Sequence, residues 1–139
     1  MAKILAFLLS ITVFFSGSCK KLVEDQKRDL LLQAMTDGQW HIETFQEGSA
    51  SITEQFDGYM FQFRANGTVA GIRNDVPEVD GTWVSDIQNL SIISNFPSAT
   101  DPLKKLNATW RITDTKADYV AAETSGSEGK NILHLRKNP

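Results

Sequence analysis

From Gln39 to the C-terminus, apolar and polar residues alternate with a period of two, and turn-forming residues break the alternation at short intervals. Side chains two apart share one face of an extended strand, so this pattern commits the chain to strands with one buried face each. It predicts strands near 39–47, 57–65, 67–73, 80–86, 89–94, 106–114, 118–124 and 130–137. Asn66-Gly67 is the strongest turn signal, since both residues tolerate positive φ. Residues 86–89, 114–116 and 125–129 mark further turns, and Pro77 and Pro102 fall in predicted loops, where a missing N–H costs no ladder bond. The predicted fold class is all-β: an eight-stranded antiparallel meander closed into a small β-barrel, because closure removes the exposed edges. An open sheet packed on a helix is the alternative.

One short helix is expected ahead of the strands. Leu22, Val23, Leu30, Leu31, Leu32 and Met35 supply apolar positions, Glu24 and Arg28 pair at i,i+4, and Asp37-Gly38 stops the run. Lys20-Lys21 begin a tether before it. With 139 residues the chain has room for one ordinary domain. Its 14 Lys and Arg against 17 Asp and Glu leave no basic footprint, so no nucleic-acid partner is expected. One Cys cannot close an intramolecular disulfide, and with two His it does not supply a Cys/His zinc set. No metal or cofactor is expected.

Met1-Ala2-Lys3 places one positive charge before an apolar run, Ile4 to Phe15, broken only by Ser10 and Thr12. That run falls well short of the about 20 residues a membrane-spanning helix needs, and small residues follow it, as in a secretory signal peptide. Ser16-Gly17-Ser18-Cys19 resembles the lipobox of bacterial lipoproteins. The resemblance implies cleavage after residue 18 and a lipid anchor, palmitate or a similar acyl chain, on Cys19. Two or more chains hold a protein stably where one binds marginally. Lys20, which is not Asp, implies sorting to the outer membrane in the envelope, with the leaflet open. The other reading is an ordinary signal peptide with a stray Cys beside the cut. The expected organisation is a signal peptide over 1–18, an anchored tether and helix over 19–36, and a barrel over 37–139. Sequons at Asn66, Asn89 and Asn107 would matter in a eukaryotic secreted chain, a context the lipobox argues against.

Three triplets place a small residue two positions before Trp: Gly38-Gln39-Trp40, Gly81-Thr82-Trp83 and Ala108-Thr109-Trp110. A small residue there leaves room for the indole to lie back over the strand, so three indoles are expected inside one interior, near its ends. Here the chain resembles the lipocalin-like family, and in particular its small bacterial outer-membrane lipoproteins. Gly38 and Trp40, just after a helix, match the family's first-strand Gly-x-Trp motif. Ala117-Asp118-Tyr119 is similar to its Thr-Asp-Tyr motif, and Arg136 stands where the family carries a late Arg that packs across the first Trp. The resemblance covers about residues 36–137 and implies a lipocalin-like barrel with Gly38, Trp40, Asp118, Tyr119 and Arg136 as structural motif residues.

Tyr59, Phe61 and Phe63 should point inward, with Met60, Gln62 and Arg64 outward. Ile42, Trp83, Leu90, Ile92, Trp110, Ile112, Tyr119, Leu133 and Leu135 are the other interior candidates. Of these, Tyr59, Phe61, Phe63, Trp83, Trp110 and Tyr119 either line a cavity for a small hydrophobic ligand or simply fill the core. His41 and His134 lie on the first and last strands but on their outward faces, which opposes a metal or acid–base pair. Asp75, Glu78 and Asp80 read as a solvated acidic loop, because their spacing does not fit a calcium loop. Ser49, Ser51 and Thr53 lack a nucleophile elbow, and no phosphate-binding loop is present, so no enzyme is expected. The expected function is that of a lipid-anchored envelope protein holding a small apolar or amphiphilic ligand. The alternative is a solid barrel acting through its surface as an interaction or inhibitor protein.

Overall fold

A computed structural model describes residues 18–139. Residues 1–17, which hold most of the expected signal peptide, lie outside the described residues, and so do the side chains of residues 18–21, Cys19 among them. A single helix, α1 (Ser18–Thr36), precedes nine strands: β1 (Trp40–Glu47), β2 (Ala50–Ser51), β3 (Tyr59–Phe63), β4 (Thr68–Arg73), β5 (Val76–Asp86), β6 (Ser91–Asn95), β7 (Ala108–Lys116), β8 (Tyr119–Gly126) and β9 (Gly129–Lys137). Consecutive strands from β3 to β9 pair antiparallel, and β9 returns to pair with β1. The predicted all-β meander is thus a closed barrel of eight strands, with β2 a short spur on β1.

Closure is uneven. β1 pairs with β9 along its length, from Trp40 opposite Lys137 to Glu47 opposite Asn131, but meets β3 only where Trp40 faces Phe61. Above that point a single-turn 3₁₀ helix, Thr53–Phe56, covers the seam. The Thr53 hydroxyl accepts from the Phe45 N–H at 2.9 Å and the Phe45 carbonyl accepts from the Ile52 N–H at 2.9 Å, so this stretch of β1 edge is satisfied without a ladder. Thr53 is therefore an edge cap, with the Ser51 hydroxyl 3.3 Å away.

Alternating strand direction sorts the connections onto two ends. At the near end lie α1 and the turns 64–67, 87–90 and 117–118; at the far end lie 48–58, 74–75, 96–107 and 127–128. The helix runs further back than the sequence suggested, to Ser18, and stops where Gly38 adopts φ +79°, a left-handed conformation that a side chain would strain. Its last turn closes the near end: Met35 is fully buried in the core cluster, with Leu31 and Leu32 packed beside it. Phe96, Leu103 and Leu106 close the far end from the β6–β7 connection.

Several boundaries differ from expectation. Pro77 lies inside β5, not in a loop. Residues 76–81 of β5 pair with β4 alone, since β6 begins opposite Thr82, and a bulge separates Gly71 opposite Val79 from Ile72 opposite Pro77. A proline at a locally free edge beside a bulge removes no bond. The missed turn is Asn74-Asp75, where both residues have positive φ (49° and 64°), the geometry of a two-residue hairpin. Glu78 and Asp80 consequently sit on a strand instead of in an acidic loop. Residues 114–116 extend β7, and the turn is the next pair, Ala117-Asp118.

Candidate functional site

The barrel interior is where aromatic side chains converge. Tyr59, Phe61 and Phe63 alternate inward on β3, all buried, and Trp83 and Trp110 join them from β5 and β7. The rings interlock: Phe63 meets Trp83 edge-on at 5.4 Å, Phe61 meets Phe96 at 6.2 Å, and Phe45 lies between Phe56 at 5.1 Å and Trp110 at 5.7 Å. Offset and edge-on contacts at these separations are the favourable arrangements of aromatic pairs. The cavity left among them has a volume of about 40 Å³, bordered by Phe61, Phe63, Trp110 and aliphatic neighbours. A drug-sized ligand needs roughly 300–1,000 Å³. Tyr59, Phe61, Phe63, Trp83 and Trp110 are therefore packed against one another, not arranged around a ligand-sized space.

Each indole is tied at an end of the barrel. The Trp40 Nε1–H donates to the Met35 carbonyl at 3.0 Å, fastening β1 to the last turn of α1. Trp83 donates to Arg64 at 3.0 Å in the β3–β4 turn, and Trp110 to Leu106 at 2.9 Å at the far end. A buried indole needs such a partner, and here the partners are connections that would otherwise be free to move. The small residues before each Trp serve other neighbours than expected. A Cβ on Gly81 would lie 2.6 Å from both the Phe96 ring and the Asn95 carbonyl, so that glycine makes room for Phe96. Gly38 is required by its backbone conformation and abuts Lys137.

Three sequence candidates sit outside. Leu90 is exposed, at the turn before β6. Tyr119 faces outward, because Val120 and Ala122 take the inward positions of β8; its ring lies under the Arg136 guanidinium at 4.5 Å and against His134 at 5.5 Å. Arg136 does not cover Trp40; the cation over that ring is Lys137, at 5.2 Å. Arg136 instead joins Glu43 at 3.2 Å and Asp118 at 3.6 Å, and hydrogen bonding to Glu43 pushes its pKa up. The motif residues Asp118, Tyr119 and Arg136 thus form one exterior cluster across β8 and β9, apart from Gly38 and Trp40.

Sequence reasoning missed Phe45, Phe56 and Phe96 and gave Met35 only as an apolar position of the helix; all four are buried in the core. Phe45 breaks the parity set by Trp40 and Ile42 because β1 bulges between Ile42 and Thr44. Phe56 and Phe96 enter from connections, where periodicity carries no signal.

Among the recesses on the outside are two of larger volume. One, of about 270 Å³, lies between α1 and the barrel and is mostly apolar, with Leu30, Leu31, Ile87 and Leu90 among its walls. The other, of about 430 Å³, is a shallow polar depression at the β1–β3 seam beside His41, Asp57, Asn74 and Asp75. His41 Nδ1 lies 3.1 Å from Asn138 Oδ1 there. The two histidines lie on paired strands but not opposite each other: His41 is opposite Arg136, while His134 is opposite Thr44. Among the described residues no group of three or more His, Cys, Asp or Glu is placed to hold a metal, and no helix is long and apolar enough to cross a membrane.

No family model matches the chain. No curated protein matches it either. Among solved structures it is similar to the crystal structure of a DUF4847 family protein from Bacteroides vulgatus, with a TM-score of 0.56 and 15% identity, over 78% of this chain and 97% of that one. At that identity the likeness shows the shared fold.

Proposed function

We propose that the chain is a lipid-anchored protein of the bacterial outer membrane whose solid, lipocalin-like barrel works by surface contact, neither carrying a ligand nor catalysing a reaction. One observation carries the choice over a carrier: an interior cavity of about 40 Å³, an order of magnitude below what a small ligand occupies. The lipobox-like Ser16-Gly17-Ser18-Cys19 supports the anchor. The eight-stranded closure and the Gly38-x-Trp40 corner at the helix-covered end support the lipocalin-like assignment.

The interior is tested by titrating folded protein with fatty acids and an environment-sensitive apolar dye. A bound ligand at a hundredfold excess over Kd would stabilise the fold by about 2.7 kcal/mol. The expected result is no shift in dye emission or melting temperature at near-millimolar ligand; a saturable rise in either restores the carrier reading. The anchor is tested by Cys19→Ala, which should leave an uncleaved or soluble product. Normal processing and unchanged membrane fractionation of that variant would refute it.

A further inference from the structure

The near end of the barrel carries apolar side chains that nothing among the described residues covers. Leu30 on α1 is 66% exposed and Leu90 in the β5–β6 turn is 54% exposed, one on each side of the apolar recess. Leu90 holds φ 49°, a left-handed conformation that is uncommon for a bulky residue and is usually left to Asn or Gly. The turn is fixed in that shape by the Ile112 N–H, which donates to the Leu90 carbonyl at 2.7 Å. A strained leucine displayed to solvent is a cost that folding alone does not require.

At 3.6 residues per turn, Val23, Lys27, Leu30 and Ala34 fall on one stripe of α1, whereas Asp25 and Asp29 fall on the far side and Glu24 about a quarter turn off. The charged residues bordering the recess are both lysines, Lys27 and Lys116, although the chain as a whole carries a net charge of -3. Of the carboxylates at this end, Asp86 accepts from the Asn89 amide and Asp118 pairs with Arg136. Cys19 stands one helical turn ahead of Val23, and Lys20-Lys21 follow it.

We propose that this end of the barrel is a membrane-contact surface that lies against acidic phospholipid headgroups, Leu30 and Leu90 entering the interface and Lys27 and Lys116 meeting phosphate. This deepens the reading above and rests on its lipid anchor, which would place a bilayer at the start of this stripe. Apolar side chains flanked by lysines are the composition that binds in the headgroup region.

The test uses the full chain purified from bacterial membranes and reconstituted in phosphatidylcholine vesicles with and without phosphatidylglycerol, with hydrogen exchange read by mass spectrometry. Amides of residues 22–34 and 87–90 should exchange about tenfold more slowly on the acidic vesicles, while the far-end turns 74–75 and 127–128 stay unchanged. The double variant Leu30→Gln/Leu90→Asn should lose the slowing at an unaltered melting temperature, since both sites are exposed and Asn suits the φ of Leu90. Lys27→Glu/Lys116→Glu should lose the dependence on phosphatidylglycerol. Equal exchange at both ends, in protein that sediments with vesicles, overturns the surface and leaves the anchor standing. Failure to sediment overturns both. Slowing that the double variant retains, or that appears in native membranes but not in protein-free vesicles, overturns the proposal and assigns the face to a protein partner.

Discussion

Trp40 concentrates three roles in one side chain: it fills the near end of the core, pairs opposite Phe61 at the weakest closure of the barrel, and holds α1 through Met35. Trp40→Ala should cost about 3–5 kcal/mol, the range for a large buried aromatic. Trp40→Phe keeps most of the ring but leaves the Met35 carbonyl without its donor, and should cost about 1–3 kcal/mol. Urea denaturation separates the two, and a loss below 1 kcal/mol for the alanine would show that the indole is not a core residue. Gly81 tests a different mechanism. A methyl there meets both a ring that can shift and a backbone carbonyl that cannot. Gly81→Ala should therefore cost about 1–3 kcal/mol by overpacking, and Phe96→Leu in the same chain should relieve only part of the loss.

The β5–β6 turn shows how an element is held by a charge. The Asp86 carboxylate accepts from the Asn89 N–H at 3.2 Å and from the Asn89 side-chain amide at 2.7 Å. These bonds favour the ionised form and lower its pKa. Because the folded value lies below the unfolded 3.8, the contribution is present above about pH 4 and is lost as pH falls through the lowered folded value. Asp86→Asn keeps an acceptor but no charge, so the fall in urea midpoint between about pH 5 and pH 2 should be shallower than in the wild type. An identical slope would show the turn to be indifferent to the charge. This element also marks the limit of what pattern reveals. Where ladders run regularly, as on β3, alternation identified the inward face residue by residue. It failed at the bulges of β1 and β5, which shift parity and place Phe45 and Pro77 against rule, and at Leu90, whose sequence reads as core but whose turn points it outward. Ring pairing was illegible for a further reason: Phe56 and Phe96 reach the core from connections, and whether eight strands enclose a space or a solid depends on such plugs.

At the scale of the whole molecule the barrel is a wall braced on both sides by ladders and stoppered at both ends by indole hydrogen bonds, and that construction makes a prediction that a carrier would not share. Phe61 is 2% exposed, borders the small interior cavity, and packs on Phe96 and Tyr59. Removing its ring in Phe61→Ala should cost about 3–5 kcal/mol. β3 is laddered to β4 along its length and held to β1 at Phe61 itself, opposite Trp40, so its backbone cannot move inward far enough to fill the gap and much of the ring's volume should persist as a dry apolar void. A void of about 150 Å³ lined by aliphatic and aromatic groups accepts benzene. Saturating benzene or indole should then raise the melting temperature of Phe61→Ala while leaving the wild type unmoved, because the stabilisation RT ln(1 + [L]/Kd) requires a site that exists in the folded state. Stabilisation of the wild type by the same ligands would mean that its interior opens in solution. A variant that loses stability yet binds neither ligand would mean that the wall collapses, and the braced barrel inferred from its ladders would be wrong.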